Sequence, residues 1–371
     1  MKILVAGDYY PASKLKQQID LRDYSFLEEI NSYTKRVDYS IVNFESPVVL
    51  GKYEPIKKCG PNLQSSKYAI EAISYAGFNL LTLANNHILD YGESGLNDTL
   101  KTCSEYQIDS VGVGSNLKEA SQIFYKQIGN EKLAIINCCE HEFSIATEKT
   151  AGANPLNSIR QYYQIREAKE KADYVLVIVH GGHEYFQLPS LRMIETYRFF
   201  IDAGADAIVN HHQHCYSGYE IYKKKPIFYG IGNFCFARER EINSIWNEGF
   251  LLELNFMEDN ISFNLYPYLQ CNGDTKINFS IDRVKWEKNI MKLNMIITNH
   301  ELLKEECHKF YQQKKDSMLM LFEPYSNRIF NKLYRMNLLP TFFDNKKKLR
   351  IENMVNCEAH RDIFIYNLHQ K

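Results

Sequence analysis

Three apolar residues, Ala207-Ile208-Val209, run directly into Asn210-His211-His212-Gln213-His214. The apolar triplet reads as a short buried strand. His212 and His214 stand two apart just past its end, and in extended backbone residues i and i+2 project to the same side. Two neutral imidazoles side by side make half of a metal site. The plain alternative is a polar loop that happens to be rich in histidine, and one pair alone leaves the two readings even.

Repetition separates them. Ile3-Leu4-Val5-Ala6 is followed by Gly7-Asp8, and Asp38 to Phe44 by Glu45, with Pro47 as a stop. Phe78 to Ala84 runs into Asn85-Asn86-His87, then Asp90 and Gly92. The β-branched run Tyr174 to Val179 delivers His180-Gly181-Gly182-His183-Glu184. Continuous apolar runs alternating with helix-like stretches fit the buried strands of an α/β sheet. Such sheets gather their ligand sites along the carboxyl ends of the strands. Asp8, Glu45, Asn86, His180, His212 and His214 all fall at that edge, so one shared site accounts for all six. An Asn can ligate through its carbonyl oxygen, which leaves the adjacent His87 free for proton transfer.

Other features are weaker. The basic turn Pro55 to Asn62 offers Lys57 and Lys58 to an anionic group, although such runs are more often solvated loops. Adjacent Cys138 and Cys139 face opposite sides of a strand, which suits core positions better than shared ligation.

The chain has 371 residues, 45% hydrophobic and 24% charged, which is ordinary globular composition. A net charge of −1 gives no overall basic field for nucleic acid. Nine cysteines, an odd number without CxxC spacing, read as reduced thiols of a cytoplasmic protein. The chain opens in a strand-like run and contains no stretch of 18 apolar residues, so neither a leader nor a membrane span is expected. All 18 glycines lie at or before Gly273. Tight turns therefore stop there, which places an α/β domain at about 1–270 and a mostly helical region at 271–371. In that region Leu302 to Gln313 and Met318 to Leu339 carry apolar residues at helical spacing. Lys346-Lys347-Lys348 with Arg350 adds four charges that anionic headgroups attract, although most such runs are simply solvated.

As an ordered set, six pieces of the chain resemble the CapA family of poly-gamma-glutamate capsule biosynthesis, within the calcineurin-like metallophosphoesterase superfamily. They are Gly7-Asp8, Asn43-Phe44-Glu45, Asn85-Asn86-His87 with Asp90 and Gly92, His180 with Gly182 and Glu184, His211-His212-Gln213-His214, and Gly232-Asn233-Phe234. The resemblance implies an α/β, metallophosphatase-like four-layer sandwich of two mixed β-sheets flanked by helices. It also implies two divalent metal ions held by Asp8, Glu45, Asn86, His180, His212 and His214. His87 would be the proton donor, and Glu184 a catalytic or supporting carboxylate. Tyr10 stands where the phosphoesterases carry His, Asn210 where Gly is usual and Gln213 where Pro is usual. A shell of nitrogen and oxygen alone favours Mn, Fe or Zn.

Three functions are compatible with these residues. The first is phosphoester hydrolysis of a phosphorylated sugar, lipid-linked or polymer substrate in capsule or cell-surface polysaccharide synthesis. The second is metal-dependent amide chemistry on a polyglutamate-like polymer. The third is a non-catalytic scaffold, touching capsule machinery or a membrane surface through its C-terminal region.

Overall fold

In a computed structural model of the chain the apolar runs become two mixed sheets. The structure describes residues 1–368 apart from positions 259, 326 and 337. Two compact units are present, Met1–Lys304 and Glu305–Lys371.

In the first unit, one sheet has the order β16 (Ile277–Asn278), β15 (Asn260–Gln270), β14 (Glu248–Met257), β1 (Lys2–Tyr10), β2 (Tyr39–Phe44), β3 (Leu80–Thr82) and β4 (Asp109–Val111). β13 (Asn233–Phe236) adds a further pairing with β1. β1 to β4 are parallel, and β14 to β16 antiparallel. The second sheet has the order β11 (Tyr219–Tyr222), β12 (Lys225–Phe228), β10 (Ala207–His211), β9 (Tyr174–His180), β7 (Glu131–Cys139) and β6 (Phe124–Ile128). Its four inner strands are parallel and both edges antiparallel. A small ribbon pairs β5 (Val113–Gly114) with β8 (Gly152–Ala153).

Strand alternation sets the layers. On β1, Ile3 and Val5 join Ile41, Leu80, Ile135, Leu176, Ile178 and Val209 in the core between the sheets. Leu4 and Ala6 face the other way, onto Leu15 and Ile19 of α1 (Ser13–Asp20), Ile70 and Ile73 of α3 (Tyr68–Tyr75), and Leu96 of α4 (Gly92–Glu105). Each such aliphatic side chain is fully buried, worth about 1.5–3 kcal/mol. The second sheet carries α6 (Ser158–Lys171) and α7 (Leu191–Ala203). α7 is clearly signalled: the Ser190 side chain accepts from Met193 N, Met193, Ile194, Tyr197, Phe200 and Ile201 form the buried stripe, and Gly204 turns out at φ +126°. The result is the expected order of helix, sheet, sheet, helix.

One buried amide ties the sheets together behind the strand ends. Asn137 on β7 accepts from Ala84 N at 2.8 Å and donates to Ile178 O at 3.1 Å. It thereby fixes the segment that follows β3.

The first unit extends past 270, which is only the last residue of β15. α8 (Arg283–Thr298) inserts Trp286 and Ile290 into the core between the sheets, and Asn294 Oδ1 accepts from Tyr219 N at 2.7 Å. α9 (His300–Leu319) starts in this unit and continues into the second. The second unit adds α10 (Arg328–Arg335), α11 (Asn345–Asn356) and α12 (Glu358–Leu368). Inside it, Glu323 gathers Phe342 N at 3.0 Å and Tyr334 Oη at 3.1 Å. No helix among the described residues is long and apolar enough to cross a membrane.

Candidate metal centre

The carboxyl ends of the parallel strands bring the six expected residues together. Asp8 (on β1) and Glu45 (just past β2) are buried, at 1% and 0% exposure. Asn86 lies in the segment after β3, His180 ends β9, and His212 and His214 follow β10. All are buried.

The histidine pair reaches the centre differently from the extended geometry expected of residues two apart. β10 ends at His211, and His212 and His214 adopt φ of +89° and +56°. Their rings therefore converge through a tight turn, in a conformation that costs non-glycine residues of order 1–3 kcal/mol each. Gln213 Nε2 holds that turn by donating to Phe186 O at 2.8 Å and Leu188 O at 3.1 Å.

Two overlapping groups of donor atoms result, Glu45 with His180 and His212, and Asp8 with Glu45 and His214, each with its atoms within 4.8 Å of one another. Glu45 belongs to both. Its Oε1 is 3.6 Å from His180 Nε2 and 3.6 Å from His214 Nε2. His180 Nε2 is 3.1 Å from both His212 Nδ1 and Asn86 Oδ1. With metal–ligand bonds of about 2.0–2.2 Å, neighbouring ligands stand about 3–3.6 Å apart, so the spacing fits bound cations.

Hydrogen bonds around the cluster set its protons. Asn233 donates through Nδ2 to His214 O at 3.1 Å and Trp246 O at 3.0 Å, so its Oδ1 must accept from His214 Nδ1, 2.9 Å away. His214 Nε2 is then a bare lone pair facing a carboxylate. Asn86 donates to Glu142 Oε2 at 2.7 Å, which turns its carbonyl oxygen inward. Asp8 accepts from Asn43 Nδ2 at 2.7 Å and from His212 N at 3.0 Å. Both Glu45 oxygens are buried and accept no hydrogen bond. An anion stripped of water and donors costs several kcal/mol unless a cation meets it.

The electrostatics follow. Burial, joined by the charges of Asp8 and Glu184, pushes the Glu45 carboxyl far up. Burial also pushes Asp8 up, but its contact with His211 and the charges of His180 and His214 outweigh this and hold it well below the usual range. Burial and the His212 charge push His180 well down. Burial lowers His214 to about 4, against the opposing pull of Asp8 and Glu184. Both rings are neutral at pH 7, the state in which imidazole binds metal.

His87 lies beside this cluster. Asn85 accepts from His87 N at 3.1 Å and donates to Phe44 O at 2.8 Å, which fixes the backbone. His87 Nδ1 is 2.7 Å from Asp90 Oδ2, so the proton sits at Nδ1 and Nε2 is left for chemistry. Asp90 also takes Leu63 N at 2.6 Å and an ion pair with Lys58, whose ammonium is 3.1 Å from His87 Nδ1. The Lys58 side chain is only 2% exposed. Of the two lysines considered for an external anion, Lys57 stays exposed, whereas Lys58 is turned inward as the partner of Asp90.

Two residues lie outside the buried cluster. Glu184 is exposed on the loop after β9, its charge reaching Glu45 and His214. Tyr10 packs its ring edge-on to Phe236, 5.0 Å between centroids. His211 Nδ1 comes within 3.2 Å of Asp8 Oδ1, at an angle too poor for a hydrogen bond. Sequence reasoning did not single out His211, Asn43, Asn233 or Glu142. Three of these stand inside the quoted motifs, and only Glu142 lacks any local signal.

Fold and site together define an α/β sandwich protein with a buried carboxylate–imidazole centre at its strand ends. The chain belongs to the family described as bacterial capsule synthesis protein PGA_cap, whose model matches residues 2–238. It is 35% identical over 246 residues to "Capsule biosynthesis protein CapA" of Bacillus anthracis, covering 64% of this chain and 60% of that one. It is 34% identical over 215 residues to "PGA biosynthesis protein CapA" of Bacillus subtilis, covering 57% of each. The matched region thus spans less than two thirds of these relatives' length. Among solved structures, a novel phosphatase from Mycoplasma pneumoniae aligns with a TM-score of 0.47 at 14% identity, covering 79% of this chain and 98% of that one. A putative 5'-nucleotidase from Staphylococcus aureus aligns with a TM-score of 0.47 at 16% identity, covering 78% and 58%.

Proposed function

We propose that this chain is a metal-dependent phosphoesterase of capsule or cell-surface polysaccharide synthesis, holding two divalent ions of Mn, Fe or Zn. The observation that carries this reading is Glu45: a fully buried carboxylate with no donor to either oxygen, shared by two sets of nitrogen and oxygen ligands. Asp8, Glu45 and His214 would hold one ion, and Glu45, Asn86, His180 and His212 the other. When bound, the ions supply positive charge that polarises a phosphoryl oxygen and acidifies water.

The protein's own groups do the rest. His87, protonated on both ring nitrogens, gives its Nε2 proton to the leaving oxygen while its Nδ1–H stays on Asp90, which Lys58 holds in place. Glu184, exposed beside the cluster, takes up the proton released by water. The substrate is a phosphorylated sugar, a lipid-linked intermediate or a polymer end. A cytoplasmic location belongs to this reading, supported by nine cysteines, an odd number without CxxC spacing.

The test is the metal content of protein purified without chelator, with aryl-phosphate turnover. Near two equivalents in wild type, lost in His212→Ala, with turnover lost in His87→Ala, is expected. Absence of bound metal, with none taken up on titration, overturns the reading.

Relatives named for PGA biosynthesis favour a second reading, amide chemistry on a polyglutamate-like polymer. Turnover of gamma-glutamyl substrates without turnover of phosphoesters would establish it. The second unit exposes Ile329, Leu338, Phe342, Leu349 and Ile363, which supports a contact with capsule machinery or a membrane surface there.

A further inference from the structure

Next to the buried centre stands a cation without an anionic partner. Arg238 lies two residues past β13 and is half-buried. Among the described residues no carboxylate lies within ion-pair distance of it. Its guanidinium carbon sits 3.8 Å from the centroid of the Trp246 ring and 5.6 Å from that of Phe236. Nη1 donates to Tyr185 Oη at 2.5 Å. A guanidinium has five N–H donors in a flat fork, so most of this fork is unclaimed.

The seat beneath it is rigid and is continuous with the centre. Trp246 is fully buried and donates from Nε1 to Phe236 O at 2.7 Å. Its ring packs on His214 with centroids 4.5 Å apart. Tyr185 stacks on the same indole at 5.5 Å and is held at a strained φ of +61°. Tyr185 N donates to Gln213 O at 2.9 Å, inside the histidine turn. Arg238 is thus one ring away from a proposed ligand, and its charge acts on Glu45. The acids around this seat are Glu184 and Glu241, whose charges act on Tyr185, and Glu239 and Asp274, which line a cavity with Arg238; Tyr185 Oη also donates to Glu241 Oε1 at 3.4 Å. Ser244 Oγ, at 2.8 Å, already donates to Glu241.

An arginine seated over an indole through its guanidinium carbon has N–H groups left for two-pronged binding of carboxylate or phosphate. We infer that Arg238 is a specificity-determining residue: the substrate carries a second anionic group, a carboxylate or a phosphate, a few atoms from the one that meets the metal pair, and the guanidinium binds it. This rests on the two-metal reading above and narrows its substrate to molecules with two anionic ends.

The test is calorimetric titration of the manganese-loaded full chain with propylphosphonate, phosphonobutyrate and propane diphosphonate. The first offers one anionic end, the second adds a carboxylate and the third a second phosphonate. At least one two-ended probe should bind about 10-fold or more tighter than propylphosphonate. Arg238→Gln should bring that ratio to about 1, and Arg238→Lys should restore part of it. The probe that gains most identifies the anionic group. If propylphosphonate binds but neither two-ended probe gains, or the ratio survives in Arg238→Gln, the role of Arg238 is overturned alone. If no probe binds, the phosphoester reading falls and this inference with it.

Discussion

His214 Nε2 lies 3.6 Å from Glu45 Oε1 with no proton between them, because Asn233 has taken the ring's proton at Nδ1. Asn233→Leu keeps the approximate shape but frees the ring to change tautomer. Metal affinity should fall about 10–100-fold, the usual cost of losing an outer hydrogen bond to a ligating imidazole. Metal titration of the variant beside wild type checks this. Unchanged affinity would mean that the amide does not set the tautomer.

Glu45 should behave oppositely with and without metal. Its folded-state pKa is raised, so its stability contribution is present below the unfolded value near 4.5 and is lost as pH rises through the folded value. Once pH passes that folded value, metal-free wild type carries a buried, uncompensated carboxylate. Glu45→Gln should make the melting temperature of metal-free protein fall less as pH rises, while abolishing stabilisation by added manganese. Melting curves at pH 8 and pH 4.5, with and without metal, read out both signs.

The buried histidines act in another window. Burial lowers both His180 and His214 below 6.5, His214 to about 4, so the stability tied to His214 is complete above pH 6.5 and is lost as pH falls toward about 4. Glu45 opposes this trend, so the measurement belongs in metal-free Glu45→Gln. There His214 alone should contribute a loss of about 3 kcal/mol across the window. Denaturant titrations from pH 7.5 to 4 should show a slope that His214→Asn makes shallower.

Lys58 and Asp90 form an ion pair out of water. Lys58→Met strands the carboxylate and should cost about 3–5 kcal/mol, whereas Lys58→Met with Asp90→Asn should recover a good part of it. Metal content should stay that of wild type in both, since neither residue belongs to the ligand cluster. Urea denaturation with metal analysis separates the two effects.

Asn137 reaches the site from behind. Asn137→Leu leaves Ala84 N buried and unpaired and removes the bond to Ile178 O, the first alone costing about 1–3 kcal/mol. A loss of at least about 2 kcal/mol is expected in denaturant, with weaker metal binding because the segment bearing Asn86 loosens.

Much of this was legible in the sequence because each chemistry-bearing residue follows a continuous apolar run, and a parallel strand buried on both faces leaves no other pattern. Tyr174 to Val179 is the clearest case, with Val175 to Val179 fully buried. The extended geometry expected of the histidine pair was not what the chain adopts, since nothing local announces positive φ at His212 and His214. The hairpin of β14 and β15, the longest pairing in the molecule, went unread. Its run Phe250-Leu251-Leu252 lacks strict alternation because both faces are buried, one toward each apolar cluster. Glu142 and Arg238 come from irregular segments, where position depends on contacts distant in sequence. The end of the first unit was masked for a similar reason, because glycine stops before α8 although the packing does not.

One last consequence lies in two absent methyl groups. A Cβ at Gly7 would stand 1.9 Å from Gly232 O, and one at Gly232 would stand 2.6 Å from Glu248 O. Gly232 itself holds φ +82°. Asp8 and Asn233, the residues next along each strand, are thus spaced by backbone touching backbone. The aperture of the centre is a dimension of the main chain, unaffected by exchanging the ligands themselves. A single carbon added at position 7 would widen it like a shim, tilting ion preference toward larger radii while every ligand kept its identity.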